Sequence, residues 1–162
     1  MNFFVGHFTR CYARHRPDRL DTEFTISVKL VGFKCPKDVR EIIPYAGTRN
    51  PVDITGQTLN DPSLVEKCLD ILIEEDVCDI IVIYMAMATQ SPTLIEIFMQ
   101  IFRNIRERHP EVPIVAGVYV DAKFRHELEE LGYIVSQEPT RAVGIAAALL
   151  KFGRSFAAKL PV

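Results

Sequence analysis

The fold is indicated most strongly by residues 79–85, which read Asp79-Ile80-Ile81-Val82-Ile83-Tyr84-Met85. This run is rich in β-branched residues and does not alternate with polar ones, which is typical of a strand covered on both faces in a parallel sheet. A helix is predicted before it, because Asp61 and Pro62 are a helix start and apolar residues then recur every three or four positions. Helix and strand together form the first unit of an α/β pattern.

The same unit recurs toward the carboxyl terminus. The later predicted elements are, in order, a helix beginning at Ser91, a strand at 112–120, a helix at 121–131 ended by Gly132, a strand at 133–135 and an Ala-rich helix at 139–152. This alternation predicts an α/β fold, specifically a three-layer, flavodoxin-like domain with a mainly parallel sheet and helices on both faces. We divide the chain into an atypical amino-terminal segment (1–27), the flavodoxin-like domain (28–155) and a tail (156–162).

Composition and charge exclude several classes of function. The 162 residues are 48% hydrophobic and 25% charged, which suits a single globular domain. The net charge of -2 argues against nucleic acid as a partner, and the longest apolar run, 80–88, is far shorter than a membrane span. The four cysteines stand far apart, with no CxxC pair and no nearby Cys/His set, so we expect no metal site, no disulfide and a cytoplasmic location. The common phosphate-binding loops are also absent.

Two segments are distinctive beyond this pattern. They are Asn50-Pro51-Val52-Asp53-Ile54-Thr55-Gly56, which precedes a helix start, and Ser136-Gln137-Glu138-Pro139-Thr140-Arg141-Ala142-Val143, which leads into the last helix. In this order and spacing they resemble the flavodoxin-like ligase domain of the NDP-forming acyl-CoA synthetases, the group that includes ADP-forming acetyl-CoA synthetase and is related to succinyl-CoA synthetase. The resemblance covers about residues 28–152, most of the chain.

The resemblance implies an activity and a set of ligand-facing residues. Members of the family make acyl-CoA from an acid, CoA and ATP through an acyl phosphate and a phosphorylated histidine, so CoA and ATP or ADP are the family's cofactors. Their ligase domains aim helix starts at the phosphate, which aligned backbone N–H groups favour. Carried onto the strand ends of this chain, the substrate- or phosphate-facing residues are Asn50, Asp53, Thr55, Gly56, Ala86, Met87 and Thr89.

Most of these residues also have a purely structural interpretation. Asp53 is as well suited to holding a turn as to contacting a ligand, and Gly56 can simply supply a positive φ. In the second segment, Glu138 and Thr140 are interpreted as helix-capping residues. Arg141 lies in a first helical turn, where a cation is disfavoured, so we expect it at the surface.

The chain departs from the family pattern at two points. None of its four histidines is followed by the residues that follow the phosphorylated histidine, since the pairs are His7-Phe8, His15-Arg16, His109-Pro110 and His126-Glu127. We therefore assign no catalytic residue. Residues 1–27 also lack the family's opening strand and its Asn-Ala-Gly-Gly-type turn. That strand belongs inside the sheet, so residues 3–8, residues 24–33 or another chain must fill its place.

Three interpretations follow from this mixture. The first is a partial ligase domain that binds no cofactor alone and depends on ATP-grasp and CoA-binding domains or subunits for the histidine and nucleotide sites. The alternative is a stand-alone flavodoxin-like module that binds a ligand without catalysis. In the third, residues 1–27 come from a shifted or foreign start and no function survives, in which case an open sheet edge favours a homodimer.

Overall fold

The computed structural model describes residues 2–6, 41–44, 52–54, 57–74, 79–86 and 91–157. Its strands are β1 (Asn2–Gly6), β2 (Val52–Asp53), β3 (Ile80–Ala86), β4 (Ile114–Val118) and β5 (Ile134–Ser136). Its helices are α1 (Gln57–Asn60), α2 (Ser63–Glu74), α3 (Pro92–Arg108), α4 (Ala122–Glu130) and α5 (Pro139–Ala157), and residues 41–42 are helical as well. Within these ranges, no helix combines the length and apolarity that crossing a membrane would require.

The five strands form one sheet in the order β2-β1-β3-β4-β5. The pairs β3–β4 and β4–β5 are parallel, whereas β1 is antiparallel to both β2 and β3. Since β2 and β3 both run opposite to β1, β2 points the same way as β3, β4 and β5. The strand order is that of flavodoxin-like folds, so the predicted α/β fold with a mainly parallel sheet is confirmed.

Strand β1 occupies the interior position for which the sequence lacks the family's usual strand. Asn2 pairs with Asp53 on one side and with Tyr84 on the other, and Gly6 pairs with Ile80. Residues 3–8 were one of the segments predicted to occupy this position in the sheet. The other predicted segment, residues 24–33, lies outside the described residues. A strand here satisfies backbone N–H and C=O groups of both neighbours, which would otherwise be unpaired inside the sheet. Residues 2–6 thus belong to the same sheet as the predicted domain.

Helices cover both faces of the sheet, which gives the three predicted layers. The larger core lies between one face and helices α2, α3 and α4, and its largest fully buried side chains include Leu69, Leu72, Ile83, Phe98 and Phe102. On the opposite face, α5 packs through two alanines against the sheet, in a cluster made of Ile80, Val82, Val115, Ala142 and Ala146. Small side chains let this helix lie close to the strands.

The predicted elements differ from the observed ones mainly at their ends. Helix α2 begins at Ser63, and Asp61 caps this start. The Oδ1 atom of Asp61 accepts hydrogen bonds from Ser63 N at 3.1 Å and from Ser63 Oγ at 2.6 Å. Strand β4 is shorter than the predicted strand at 112–120, and the sequence does not predict the single turn α1. Gly132 ends α4 as predicted, with a φ of 83° that favours glycine.

Arg106 stabilises the turns that precede β4 and β5, at the amino edge of the parallel strands. Its guanidinium donates hydrogen bonds to four backbone carbonyls, those of His109 (3.4 Å), Pro110 (2.9 Å), Val112 (3.0 Å) and Gly132 (3.4 Å). The same group lies 4.6 Å from the centroid of the Tyr133 ring. Tyr133 donates its hydroxyl to Phe102 O at 2.8 Å, and burial raises the pKa of Tyr133 to about 12. One side chain therefore ties the end of α3 to both following strands.

The two histidines in the described ranges lie at the end of α3 and on the surface of α4. His109 caps the end of α3, donating its backbone N–H to Ile105 O at 2.8 Å, and its Nε2 lies 2.9 Å from Asp70 Oδ1. Asp70 also binds Arg108, and the hydrogen bond of Arg108 with Glu66 is the main cause that raises the pKa of Arg108. His126 is 74% exposed on α4.

Candidate functional site

Three helices begin at one edge of the sheet, which we term the carboxyl edge. Helix α3 follows β3, α4 follows β4, and α5 follows β5. Because these strands are parallel, the helices that follow them start on the same side. Asp53, the last residue of β2, lies at this edge as well, since it pairs with Asn2 opposite Tyr84 near the end of β3. Open α/β sheets place their ligands at this edge.

Carboxylates of the chain itself occupy the starts of α4 and α5. Asp121 Oδ1 accepts a hydrogen bond from Phe124 N at 2.9 Å. The Glu138 carboxylate accepts hydrogen bonds from Thr140 N at 3.1 Å and Arg141 N at 2.9 Å. Since a carboxylate at a helix start already binds the N–H groups that would hold an anion, these two starts are poorly suited to phosphate.

The cap of α5 also tests the structural roles predicted for Glu138, Thr140 and Arg141 in the second segment. Glu138 caps α5 as predicted, whereas Thr140 contributes its backbone N–H to that cap. Arg141 is exposed, as predicted. Ser136 is buried at the end of β5 and donates its hydroxyl to Glu138 O at 3.1 Å, which fixes the turn between strand and helix.

The start of α3 is chemically different, because its cap is the uncharged Ser91. Ser91 Oγ accepts a hydrogen bond from Leu94 N at a long 3.4 Å, and the first turn contains no acidic residue. The helix dipole therefore favours an anion here more than at α4 or α5. This start follows the loop at 86–90 that the resemblance predicts to face phosphate, and Ala86 is the part of that loop that the structure describes.

A groove of about 630 Å³ opens beside the α3 start. This α3–α4 groove is lined by Pro92, Ile95, Glu96, Tyr119, Val120, Asp121, Phe124 and Gln137. Ile95 and Val120 are buried and form an apolar floor, whereas Tyr119 is 58% exposed. A volume of this size lies within the range of roughly 300–1,000 Å³ that is usual for ligand sites.

The α3–α4 groove is lined by acidic side chains. Glu96 and Asp121 are both exposed, and the lining residues that the structure describes include no Lys or Arg. Lys123 lies beside the groove, with its Nζ 4.9 Å from the centroid of the Phe124 ring. Because carboxylates repel phosphate and other anions, the groove favours cationic or neutral groups. It is thus distinct in character from the α3 start.

The structure describes two of the seven residues predicted to face a ligand. Asp53 is half-buried at the end of β2, and Ala86 is the last residue of β3. They share the carboxyl edge, and the single strand β1 between β2 and β3 sets those two strands about 10 Å apart. The remaining five lie outside the described residues, and they are Asn50, Thr55, Gly56, Met87 and Thr89.

Sequence reasoning gave no ligand role to the residues of the α3–α4 groove. For Tyr119, Asp121 and Gln137 a signal was present, because they directly follow the ends of β4 and β5, where ligand sites concentrate. Glu96 carries no local signal, since an exposed glutamate on a helix is ordinary. Only the packing of α3 beside α4 brings these residues together.

The described ranges contain no group of three or more His, Cys, Asp or Glu side chains that could hold a metal ion. Cys68, the cysteine within those ranges, is buried in the larger core. No family model, no curated protein and no solved structure matches this chain. A function for it is therefore argued from its own residues and geometry.

Proposed function

We propose that this chain is a ligase domain of the NDP-forming acyl-CoA synthetase type. In this proposal the complete assembly converts an acid, CoA and ATP to acyl-CoA, ADP and phosphate, and the chain contributes one phosphate-facing surface. The phosphohistidine and the nucleotide site belong to CoA-binding and ATP-grasp domains or subunits, so the chain alone neither binds a cofactor nor turns over substrate.

The observation that carries the proposal is the location of the two family-like segments. The first segment contains β2 and reaches the carboxyl edge at Asp53, and the second runs from Ser136 at the end of β5 into α5. Asp53 and Ser136 are far apart in sequence, yet both lie at the carboxyl edge of one sheet. A chance similarity of two short segments would not require a common edge, whereas a shared ligand-facing surface does.

The pattern of helix caps supports the same surface. Among the helices α2 to α5, the starts of α2, α4 and α5 are bonded by Asp61, Asp121 and Glu138, and the start of α3 is capped by Ser91. The phosphate-facing helix in this proposal is therefore α3. It lies between β3 and β4, toward the middle of the edge that carries both family-like segments.

Complementation in trans tests the proposal. The full chain is mixed with separately purified ATP-grasp and CoA-binding domains of a synthetase of this family, and ADP release that depends on both acid and CoA is measured. We expect none from the chain alone and a clear increase when it joins the other domains. Ser91→Asp places a carboxylate at the α3 start and should lower that increase about fivefold to tenfold. Ser155→Asp, on the exposed far end of α5, is the matched control.

The DNA upstream of the Met1 codon provides a second test. If one of the three frames encodes an apolar strand, an Asn-Ala-Gly-Gly-type turn and a His-Thr/Ser-Gly segment, the ligase proposal gains direct support. If no frame does, and the chain also fails to stimulate ADP release, a stand-alone ligand-binding module becomes the better account.

A further inference from the structure

We propose that the α3–α4 groove binds a segment of a partner polypeptide in which a Lys or Arg side chain lies next to an apolar one. This goes beyond the ligase proposal, since it concerns recognition of a polypeptide at a groove that borders the phosphate-facing α3 start at Pro92 and is not lined by its cap, Ser91. The shape, the charge and the hydrogen-bonding groups of the groove each favour such a segment.

The shape of the groove suits neighbouring side chains of an extended segment. Ile95 and Val120 are 7% and 8% exposed, so they present a firm apolar floor. Phe124 is half-buried at its side, and the volume of about 630 Å³ exceeds what one side chain fills. An apolar residue of the partner would bury its surface on this floor, which is the main source of affinity in such contacts.

The charge of the groove selects a cation. Glu96 belongs to the first half of α3 and Asp121 precedes α4, so the two carboxylates belong to two different helices that border the groove. Asp121 uses its Oδ1 to cap α4 and is exposed to solvent. Lys123 already lies over the Phe124 ring next to the groove, which shows that this environment accommodates an ammonium group. A phosphate, a nucleic acid or an acidic peptide would meet repulsion instead.

Two further groups favour a polypeptide over a small amine. Tyr119 is 58% exposed at the groove, and tyrosine is enriched at protein interfaces because it offers both an apolar ring and a hydroxyl. Gln137 adds an exposed amide, which both donates and accepts hydrogen bonds and so matches a peptide backbone. A simple amine would use the carboxylates and leave the ring and the amide without a role.

Peptide selection tests the proposal with defined probes. The full chain is immobilised and random heptapeptides displayed on phage are selected on it, with counter-selection on the Glu96→Lys variant. We expect enriched peptides that share a Lys or Arg beside an apolar residue. For a synthetic peptide of the enriched sequence, Glu96→Gln and Asp121→Asn should each weaken binding about twofold to fivefold, because rim charges have modest effects. Tyr119→Ser should weaken it at least about fivefold, as an exposed aromatic anchor does.

The controls make every outcome decisive. Asp121→Asn keeps a side-chain oxygen for the α4 cap, and Glu111→Gln removes a carboxylate at the opposite edge of the sheet and should leave peptide binding unchanged. Enriched peptides without a basic residue, binding that the groove variants do not alter, or no enrichment over the Glu96→Lys variant would each overturn the proposal. None of these variants changes Ser91, so the two proposals can fail separately. If the chain stimulates ADP release but selects no peptide of the expected kind, this inference is wrong and the ligase proposal is unaffected.

Discussion

Replacing Arg106 should destabilise the fold more than replacing any exposed arginine. The informative change is Arg106→Met, because methionine keeps an apolar stem against Tyr133 but removes every guanidinium hydrogen bond. The carbonyls that lose a donor belong to the end of α3, to the turn before β4 and to the turn before β5. Both turns precede strands of the parallel sheet, so loosening them affects its amino edge directly.

The magnitude follows from the bonds to Pro110 O at 2.9 Å and Val112 O at 3.0 Å, which have good length. A hydrogen bond to a charged donor contributes about 1.5 kcal/mol at the lower end of its range, so the pair contributes about 3 kcal/mol. The contact with the Tyr133 ring adds about 0.5–1 kcal/mol. Hydration of the exposed Pro110 carbonyl and regained side-chain freedom offset about 1 kcal/mol. The expected net loss is about 2.5–3 kcal/mol.

The assay is equilibrium unfolding in urea, followed by circular dichroism at the helical minimum, since the chain contains no Trp. Arg125→Met is the control, because Arg125 makes only a 3.9 Å ion pair with Glu129 and is 39% exposed. The control should cost less than about 0.5 kcal/mol. If the two variants lose the same free energy, Arg106 does not fasten the turns and the reasoning above is refuted.

Three smaller predictions use the same unfolding assay. The pKa of Tyr133 is raised to about 12, so the stabilising contribution of its hydroxyl is complete below pH 10 and is lost as the pH rises toward 12. Over that interval the wild type should lose about 2–3 kcal/mol of unfolding free energy relative to the Tyr133→Phe variant. Equal slopes of unfolding free energy against pH for the two proteins would contradict this prediction. Gly117→Ala should lower the unfolding free energy by about 1–3 kcal/mol, because a Cβ there would lie 3.0 Å from a backbone carbonyl oxygen. Gly144→Ala should instead raise it by about 0.5–1 kcal/mol, because a Cβ at this position of α5 would have no described atom within 4 Å. Glu138→Ala should cost about 1 kcal/mol through the lost α5 cap, and a loss no larger than that of Glu111→Ala would argue against capping.

Much of the fold was predictable because local signals and packing agree. The apolar positions that recur every three or four residues after Pro62 include the residues that α2 buries, and Ser91 caps α3 at the predicted helix start. Gly132 adopts the positive φ that its position after α4 indicated. These features depend on residue spacing and on backbone chemistry within a few residues, which a sequence displays directly.

The candidate site was predictable only in part, because it is assembled across elements. The sequence predicted that ligand-facing residues lie at strand ends. Asp53 and Ala86 lie at the carboxyl edge, and a ligand role for them stays a prediction. It did not indicate the α3–α4 groove, whose lining comes from two helices and from the ends of two strands. No spacing rule connects Glu96 to Gln137, and only the packed arrangement makes them neighbours.

The sequence by itself determined the alternation of helices and strands, the apolar faces and the helix caps, because each depends on neighbours close along the chain. Tertiary structure alone decided that Asn2–Gly6 enters the sheet antiparallel between β2 and β3. It also brought the carboxylate-capped starts of α4 and α5 to the same edge as the uncharged α3 start. Strand order and the convergence of helix starts arise from pairing between distant segments, and their free energy depends on contacts that no local stretch contains.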